Sequence, residues 1–169
     1  AVDEKTAYAS HAWLPFNLPG YATAAYEIFE QLGNRLPGSV VVPAGQGGFL
    51  LGLSRGFEAI CAAKNDGGSR PLMVGVQARA CAPLWAMITY GREGLGFVAE
   101  NPTLAEGVRV YRPLRTETVL RALSDSGTMI AVDEEAIMPG RDNLARLGFY
   151  VEPTSAIVWP ALEQKIQDL

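Results

Sequence analysis

The sequence predicts an α/β domain of three layers, a mainly parallel twisted sheet with helices on both faces. Three observations lead there. SVVVP at 39–43, LMVGVQ at 72–77 and TMIAV at 128–132 are short apolar runs with the pattern of strands buried on both faces. Helical patterns separate them, and strand–helix alternation favours parallel strands joined by right-handed crossovers. The chain, 169 residues with 49% hydrophobic and 19% charged, suits one domain with its own core.

In chain order, GYATAAYEIFEQLG at 20–33 places Ala25, Ile28, Phe29 and Leu32 on one helical face, and Gly33 suits the position just past the helix end. SVVVP is the first strand and runs straight into a glycine cluster. From Gly48 to Lys64 the pattern is helical, with Arg55, Glu58 and Lys64 marking a solvated side. NDGGSRP is a loop by composition. LMVGVQ is the second strand and CAPLWAMITYG a short helix. TETVLRALSDSG reads as a helix closed by Gly127, ahead of the third strand. Asp133 is placed to cap a helix running through Leu147, whose first-turn acids, Glu135 among them, suit its positive end. GFYVEPTSAIVWPALEQ passes from a short extended piece into a final helix. No internal repeat or low-complexity linker interrupts the series.

Composition narrows the function classes. A net charge of −4 without any basic block leaves nucleic acid and anionic membranes no electrostatic footprint. No apolar run approaches the ~20 residues that span a bilayer. Cys61 and Cys81 have neither metal-ligand spacing nor a secreted disulfide pattern, which points to the reducing cytoplasm. With His11 as the single histidine, His-rich metal sites and Ser-His-Asp chemistry are not expected within the chain.

Chemistry concentrates in VVVPAGQGGFLLG, residues 40–52. A turn that follows a parallel strand and opens a helix gathers unpaired N–H groups and the positive end of a helix dipole. Gly45, Gly47 and Gly48 lack side chains that would block a phosphate; equally, they permit a tight turn for steric reasons alone. Both readings stand on the residues. A P-loop is excluded, since no Lys lies between Lys5 and Lys64. A dinucleotide fingerprint fits poorly: its third glycine position is Leu50, and the next strand ends Gln77, Ala78, Arg79 without the ribose-binding acid. An NADP-type site with Arg79 near a 2′-phosphate stays open.

Several segments in order, YASHAWLPFNLPGYATAAYEIFEQL, VVVPAGQGGFLLG, GVQARACAPL, PTLAEGVRVYRP and GFYVEPTSAIVWPAL, together resemble pyridoxal-phosphate enzymes of the tryptophan-synthase-β fold type (fold type II). The chain is most similar to threonine synthase and its relatives, next to threonine or serine dehydratases. The resemblance implies pyridoxal 5′-phosphate as cofactor and a small amino acid as substrate. It implies that Gly45, Gln46, Gly47, Gly48 and Phe49 hold the cofactor phosphate, with Gln46 standing where the family often has a further glycine. It places Glu106 and Gly107, after Ala105, near the cofactor and substrate; Glu106 reads equally as a solvated acid at a helix end. Thr154 and Ser155 match a late helix start that helps line the site, and we read Thr154 as an N-cap. His11 falls in a segment near the mouth of the family's active site and is read as a structural hydrogen-bonding residue. Trp13, Phe16 and Tyr21 are read as packing.

The same resemblance exposes departures. The family's Schiff-base lysine lies far upstream of the glycine loop in a Ser-x-Lys context, and Lys5, Lys64 and Lys165 are the only lysines here. No catalytic residue is therefore assigned. The chain opens AVDEK and stops at KIQDL in a helix-like segment. We expect residues 1–169 to be a single domain, the C-terminal-half fragment of a longer enzyme. It would lack the lysine-bearing part and the last strand, and the full-length protein would be a homodimer. Cation-dependent serine racemases and some dehydratases carry oxygen ligands at the positions of Gln77 and Pro83, so no metal is expected. The expected reaction is conversion of O-phosphohomoserine to threonine. The alternatives are an amino-acid ammonia-lyase and a non-catalytic ligand-binding α/β module.

Overall fold

The computed structural model describes residues 10–65, 68–125 and 127–167. The first helix, α1 (Asn17–Gln31), starts three residues ahead of the periodic pattern. Pro19 sits in its first turn, where a missing N–H costs nothing. At the other end Gly33 adopts φ +68°, and the N–H groups of Gly33 and Asn34 donate to the carbonyls of Glu30 and Phe29, each at 2.9 Å. Its buried face is Leu18, Ala22 and Ala25. Leu32, expected on that face, is 40% exposed, because the chain has left the helix there.

Strands β1 (Ser39–Pro43), β2 (Leu72–Ala78) and β3 (Gly127–Val132) form one parallel sheet in that order, with Val41 beside Val74 and Val74 beside Thr128. Burial on both faces holds for β2, which is buried from Met73 to Ala78. Val40 and Val41 of β1 are only half-buried, since among the described residues that strand has a neighbour on one side. Gly127 opens β3 instead of closing the preceding helix, α4 (Thr116–Leu123); Leu123 folds back so closely on it that no Cβ would fit.

The sheet carries apolar contacts on each face. On one, Val42, Met73 and Met129 meet Leu50, Leu53 and Phe57 of α2 (Gly48–Lys64), Leu84 of α3 (Pro83–Tyr90), and Val119 and Leu123 of α4. α1 lies against α2, where Gly56 lets the Ala22 backbone and Ala25 come close. On the other face, Val76, Ala78 and Val132 meet Ile137 of α5 (Glu134–Arg146) and Ala161 of α7 (Val158–Gln167). Ile157, between α6 (Pro153–Ala156) and α7, completes that core. Helices on both faces of a parallel sheet are the predicted architecture.

Asp133 occupies the N-cap position of α5 but does not cap it. Ala78 and Val132 are register partners, so Arg79 and Asp133 leave adjacent strand ends side by side, and the carboxylate accepts from Arg79 Nε instead.

Candidate functional site

The glycine turn sits at the C-terminal end of β1 and opens α2, the edge of a parallel sheet where ligands bind. Two bonds fix its first residue: Ala44 N–H donates to the Val76 carbonyl at 2.8 Å, and Gln77 Nε2 donates to the Ala44 carbonyl at 3.0 Å. Gln77 is fully buried, and its Oε1 accepts from the N–H groups of Leu84 at 2.9 Å and Trp85 at 3.1 Å, in the first turn of α3. One amide side chain thus ties the turn, the central strand and α3 together.

The three glycines answer different demands. A Cβ built at Gly45 would stand 2.9 Å from the Gly107 carbonyl oxygen and 3.1 Å from Val108 Cα, so this glycine lets residues 107–110 lie against the turn. Gly47 is the N-cap of α2 at φ +76°, and a Cβ there would lie 2.6 Å from Val119 Cγ2. Gly48 needs no such allowance: a Cβ would meet Tyr21 Cε2 at 3.6 Å and Arg115 Nη1 at 3.8 Å, ordinary contacts. The N–H groups of Gly47 and Gly48 donate to no other described residue.

Three further segments close around the turn. Gln46 Oε1 accepts from Leu114 N–H at 3.0 Å, so the residue that replaces a family glycine anchors the 110–115 segment. Gly107 N–H donates to Thr154 Oγ1 at 3.1 Å. Arg115 reaches back to the Leu14 carbonyl at 3.0 Å through Nη2. Together they bound a cleft of about 230 Å³ whose walls include Gly45 to Phe49, His11, Tyr21, Gly107, Arg115 and Thr154. Phe49 stands edge-on to Tyr21 with ring centroids 5.7 Å apart. The donors are backbone N–H groups, a helix start and a guanidinium, and no carboxylate of the described residues lines the cleft. That set fits a phosphate monoester.

Gly45, Gln46, Gly47, Gly48, Phe49 and Gly107 are brought together by the structure. Glu106 is exposed and does not line the cleft. Thr154 is not the cap of α6, a position held by Glu152; its hydroxyl is spent on Gly107. Ser155 is half-buried outside the lining. His11 lines the cleft, is exposed, and makes no side-chain hydrogen bond to another described residue, unlike the structural role expected of it. Trp13 and Phe16 are 69% and 79% exposed, so only Tyr21 of that trio packs. Arg79 is bonded to Asp133 and to the Ala131 carbonyl at 2.9 Å, stands over the Trp85 ring 4.9 Å away, and does not line the glycine-turn cleft. A larger hollow of about 490 Å³ beside Arg79, Trp85, Tyr90 and Phe97 shares no residue with the glycine turn. Lys64 lies 16 residues along α2 from Gly48, roughly 24 Å away at 1.5 Å per residue. Lys5 and the Lys165 side chain lie outside the described residues.

The residue that sequence reasoning missed is Arg115. Its signal was available, as a cation next to a helix start, but Arg109 and Arg112 stand nearby and nothing local connects any of them to a turn some 70 residues earlier. For metal, among the described residues no group of three or more His, Cys, Asp or Glu could hold an ion. No described helix is long and apolar enough to cross a membrane.

Residues 1–169 match the sequence profile of the family described as "Pyridoxal-phosphate dependent enzyme". Threonine synthase of Methanosarcina acetivorans is 35% identical over 146 residues, 84% of this chain and 35% of that protein. Threonine synthase of Methanocaldococcus jannaschii is 30% identical over 169 residues, 98% of this chain and 41% of that protein. The chain therefore spans well under half the length of these curated relatives. Among solved structures, a threonine deaminase from T.th. superposes with a TM-score of 0.71 at 29% identity, covering 91% of this chain and 54% of that one. A fungal L-serine ammonia-lyase from Rhizomucor miehei shares the fold alone, with a TM-score of 0.79 at 18% identity over 99% of this chain and 51% of that one. With a parallel sheet of the right connectivity and a profile match from end to end, the chain belongs to the pyridoxal-phosphate dependent enzymes of fold type II.

Proposed function

We propose that this chain supplies the phosphate-holding side of an enzyme site that acts on a small amino acid. The reaction is threonine-synthase-like: O-phosphohomoserine loses phosphate and takes up water to give threonine. The observation that carries the reading is the pair of N–H groups, Gly47 and Gly48, that bond to no described residue, at a helix start lining a cleft to which no described carboxylate contributes. Pyridoxal phosphate, when bound, serves as the sink for the electron pair released at the substrate's α-carbon. The chain's own contribution is to bind and orient. Gly45 to Phe49 grip the phosphate, the Gly107–Thr154 contact fixes the opposite wall, and the Tyr21–Phe49 pair shields one side from water. Thr154 positions through Gly107, and Glu106, exposed outside the lining, is assigned no proton transfer.

We further read residues 1–169 as the C-terminal-half portion of a homodimeric cytoplasmic enzyme whose cofactor-bonding lysine lies in another part of the protein. The relatives' greater length and the remoteness of Lys64 support a lysine elsewhere, and the two free cysteines support a reducing compartment. A second reading, a threonine or serine dehydratase, draws on the superposition with threonine deaminase. Assaying the full-length protein with O-phosphohomoserine, threonine and serine separates the two. Phosphate release coupled to threonine formation supports the first, ammonia and a 2-oxo acid support the second, and no turnover of any of them refutes both.

A further inference from the structure

We propose that Arg115 is the cationic ligand of the phosphate monoester held at the glycine turn, an inference that rests on the function proposed above. Arg115 is half-buried at the N-cap position of α4. One guanidinium nitrogen, Nη2, donates to the Leu14 carbonyl at 3.0 Å. The other, Nη1, lies 3.8 Å from where a Gly48 Cβ would stand, beside the unpaired N–H groups that open α2. Among the described residues, ion pairs engage Arg70, Arg79, Arg92 and Arg141, whereas Arg115 pairs with no described carboxylate. A guanidinium carries five donors, and one is used. Unused N–H donors beside a guanidinium, with no carboxylate among the described lining residues, suit an anion.

Charge arithmetic points the same way. A phosphate monoester carries about −1.5 to −2 at neutral pH. The start of α2 offers the equivalent of about +0.5. Neutral N–H groups add hydrogen bonds and no net charge, so a full charge or more is left unmatched in a partly enclosed cleft. Arg115 supplies +1 there, in a planar fork suited to two phosphate oxygens. Its bond to Leu14 serves the same end. Leu14 N–H itself donates to the Ser10 carbonyl at 3.0 Å, so the 10–14 turn is a fixed strut that aims the guanidinium at Gly48.

The test uses the full-length protein carrying this sequence, as wild type, Arg115→Gln and Arg115→Lys. Each is titrated with pyridoxal 5′-phosphate, pyridoxal and inorganic phosphate, and the bound phosphate's pH titration is followed by phosphorus NMR. Loss of a charge-assisted contact is expected to weaken pyridoxal phosphate and inorganic phosphate on the order of 10- to 100-fold in Arg115→Gln. Pyridoxal binding should stay unchanged, the phosphate should titrate at higher pH, and Arg115→Lys should recover part of the affinity. Should Arg115→Gln not fold, Arg115→Lys carries the test, with a several-fold loss confined to the phosphorylated ligands. Equal losses for pyridoxal and its phosphate, or no loss for either, would overturn the proposal. So would a change confined to the KM of a phosphorylated substrate, which would assign the arginine to that substrate's phosphate. Wild-type protein that binds neither pyridoxal phosphate nor inorganic phosphate would overturn the functional reading itself, and this inference with it.

Discussion

Gly48→Ala separates what the glycine turn does for the fold from what it does for a ligand. The new Cβ would meet Tyr21 Cε2 at 3.6 Å and Arg115 Nη1 at 3.8 Å, both ordinary contacts, and Gly48 is not among the left-handed residues. It is the first residue of α2. Alanine there restricts the unfolded chain without strain in the folded one, worth about 0.4–1 kcal/mol of added stability. The neighbouring Gly47→Ala should behave oppositely. Its φ of +76° costs a side chain roughly 1–2 kcal/mol. The approach of that Cβ to Val119 Cγ2 at 2.6 Å adds about 1–3 kcal/mol of overpacking. Urea denaturation of the full-length variants should place Gly48→Ala at or above wild type and Gly47→Ala about 2–5 kcal/mol below it. Binding should not follow stability. The Gly48 methyl stands between Tyr21 and Arg115, two walls of the cleft, and should cost pyridoxal phosphate on the order of 10-fold or more by lengthening charge-assisted bonds. A Gly48→Ala protein destabilised by more than about 1 kcal/mol would refute the geometry. One that keeps both stability and cofactor affinity would refute close approach of a ligand at this residue.

Other consequences can be checked on the same protein. Gln77→Leu strands the Leu84 and Trp85 N–H groups and the Ala44 carbonyl in the core; at about 1–3 kcal/mol each, the denaturation free energy should fall by roughly 3–9 kcal/mol. EDTA should leave activity unchanged, because Gln77 Oε1 already accepts two N–H groups and Pro83 offers no ligand; a loss restored by Mg²⁺ would contradict this. Burial, with Glu100 nearby, pushes the Cys81 thiol up, so native protein should react with thiol reagents at Cys61 well before Cys81. Since the folded state then holds the Cys81 proton to higher pH than the unfolded chain, its contribution to stability is complete below the ordinary thiol range. It should decline as pH rises through that range toward the folded value, which denaturation at a series of alkaline pH values would show.

Features set by neighbours in sequence were legible. Continuous apolar runs located the strands, and the conformation of Gly33 follows from its place after a periodic helix. Features set by distant partners were not. Thr154 looks like a cap because it stands near a helix start, yet a residue 47 positions away takes its hydroxyl. Asp133 has the right type and place to cap α5, but the charge of Arg79, 54 residues earlier, outcompetes the helix N–H groups. Arg115 gains its meaning from Leu14, 101 residues away, and from the turn between them. Trp13 and Phe16 show the converse limit: aromatic type predicts burial on average and says nothing about which surface would cover a given ring.

Gln77 links the replacement of an acidic metal ligand to the rigidity of the glycine turn. Its amide is used from both ends, with the NH₂ group donating to the Ala44 carbonyl and the oxygen accepting from two N–H groups at the start of α3. A carboxylate can copy only half of that arrangement. Ionised glutamate would still accept from Leu84 and Trp85 but would set an oxygen against the Ala44 carbonyl, in a fully buried position where an unpaired charge is costly. The acidic ligand that the cation-dependent enzymes resembled by this sequence place here is thus incompatible with this particular anchoring of residue 44. Conversely, once the amide holds the Ala44 carbonyl and the Val76 carbonyl holds its N–H, Gly45 begins from a fixed point and can lie against residues 107 and 108 without adjustment. The neutral residue that removes an oxygen ligand is the same one that sets where the turn's N–H groups stand, and charge for the anion must then come from elsewhere in the cleft, where Arg115 is the cation in place.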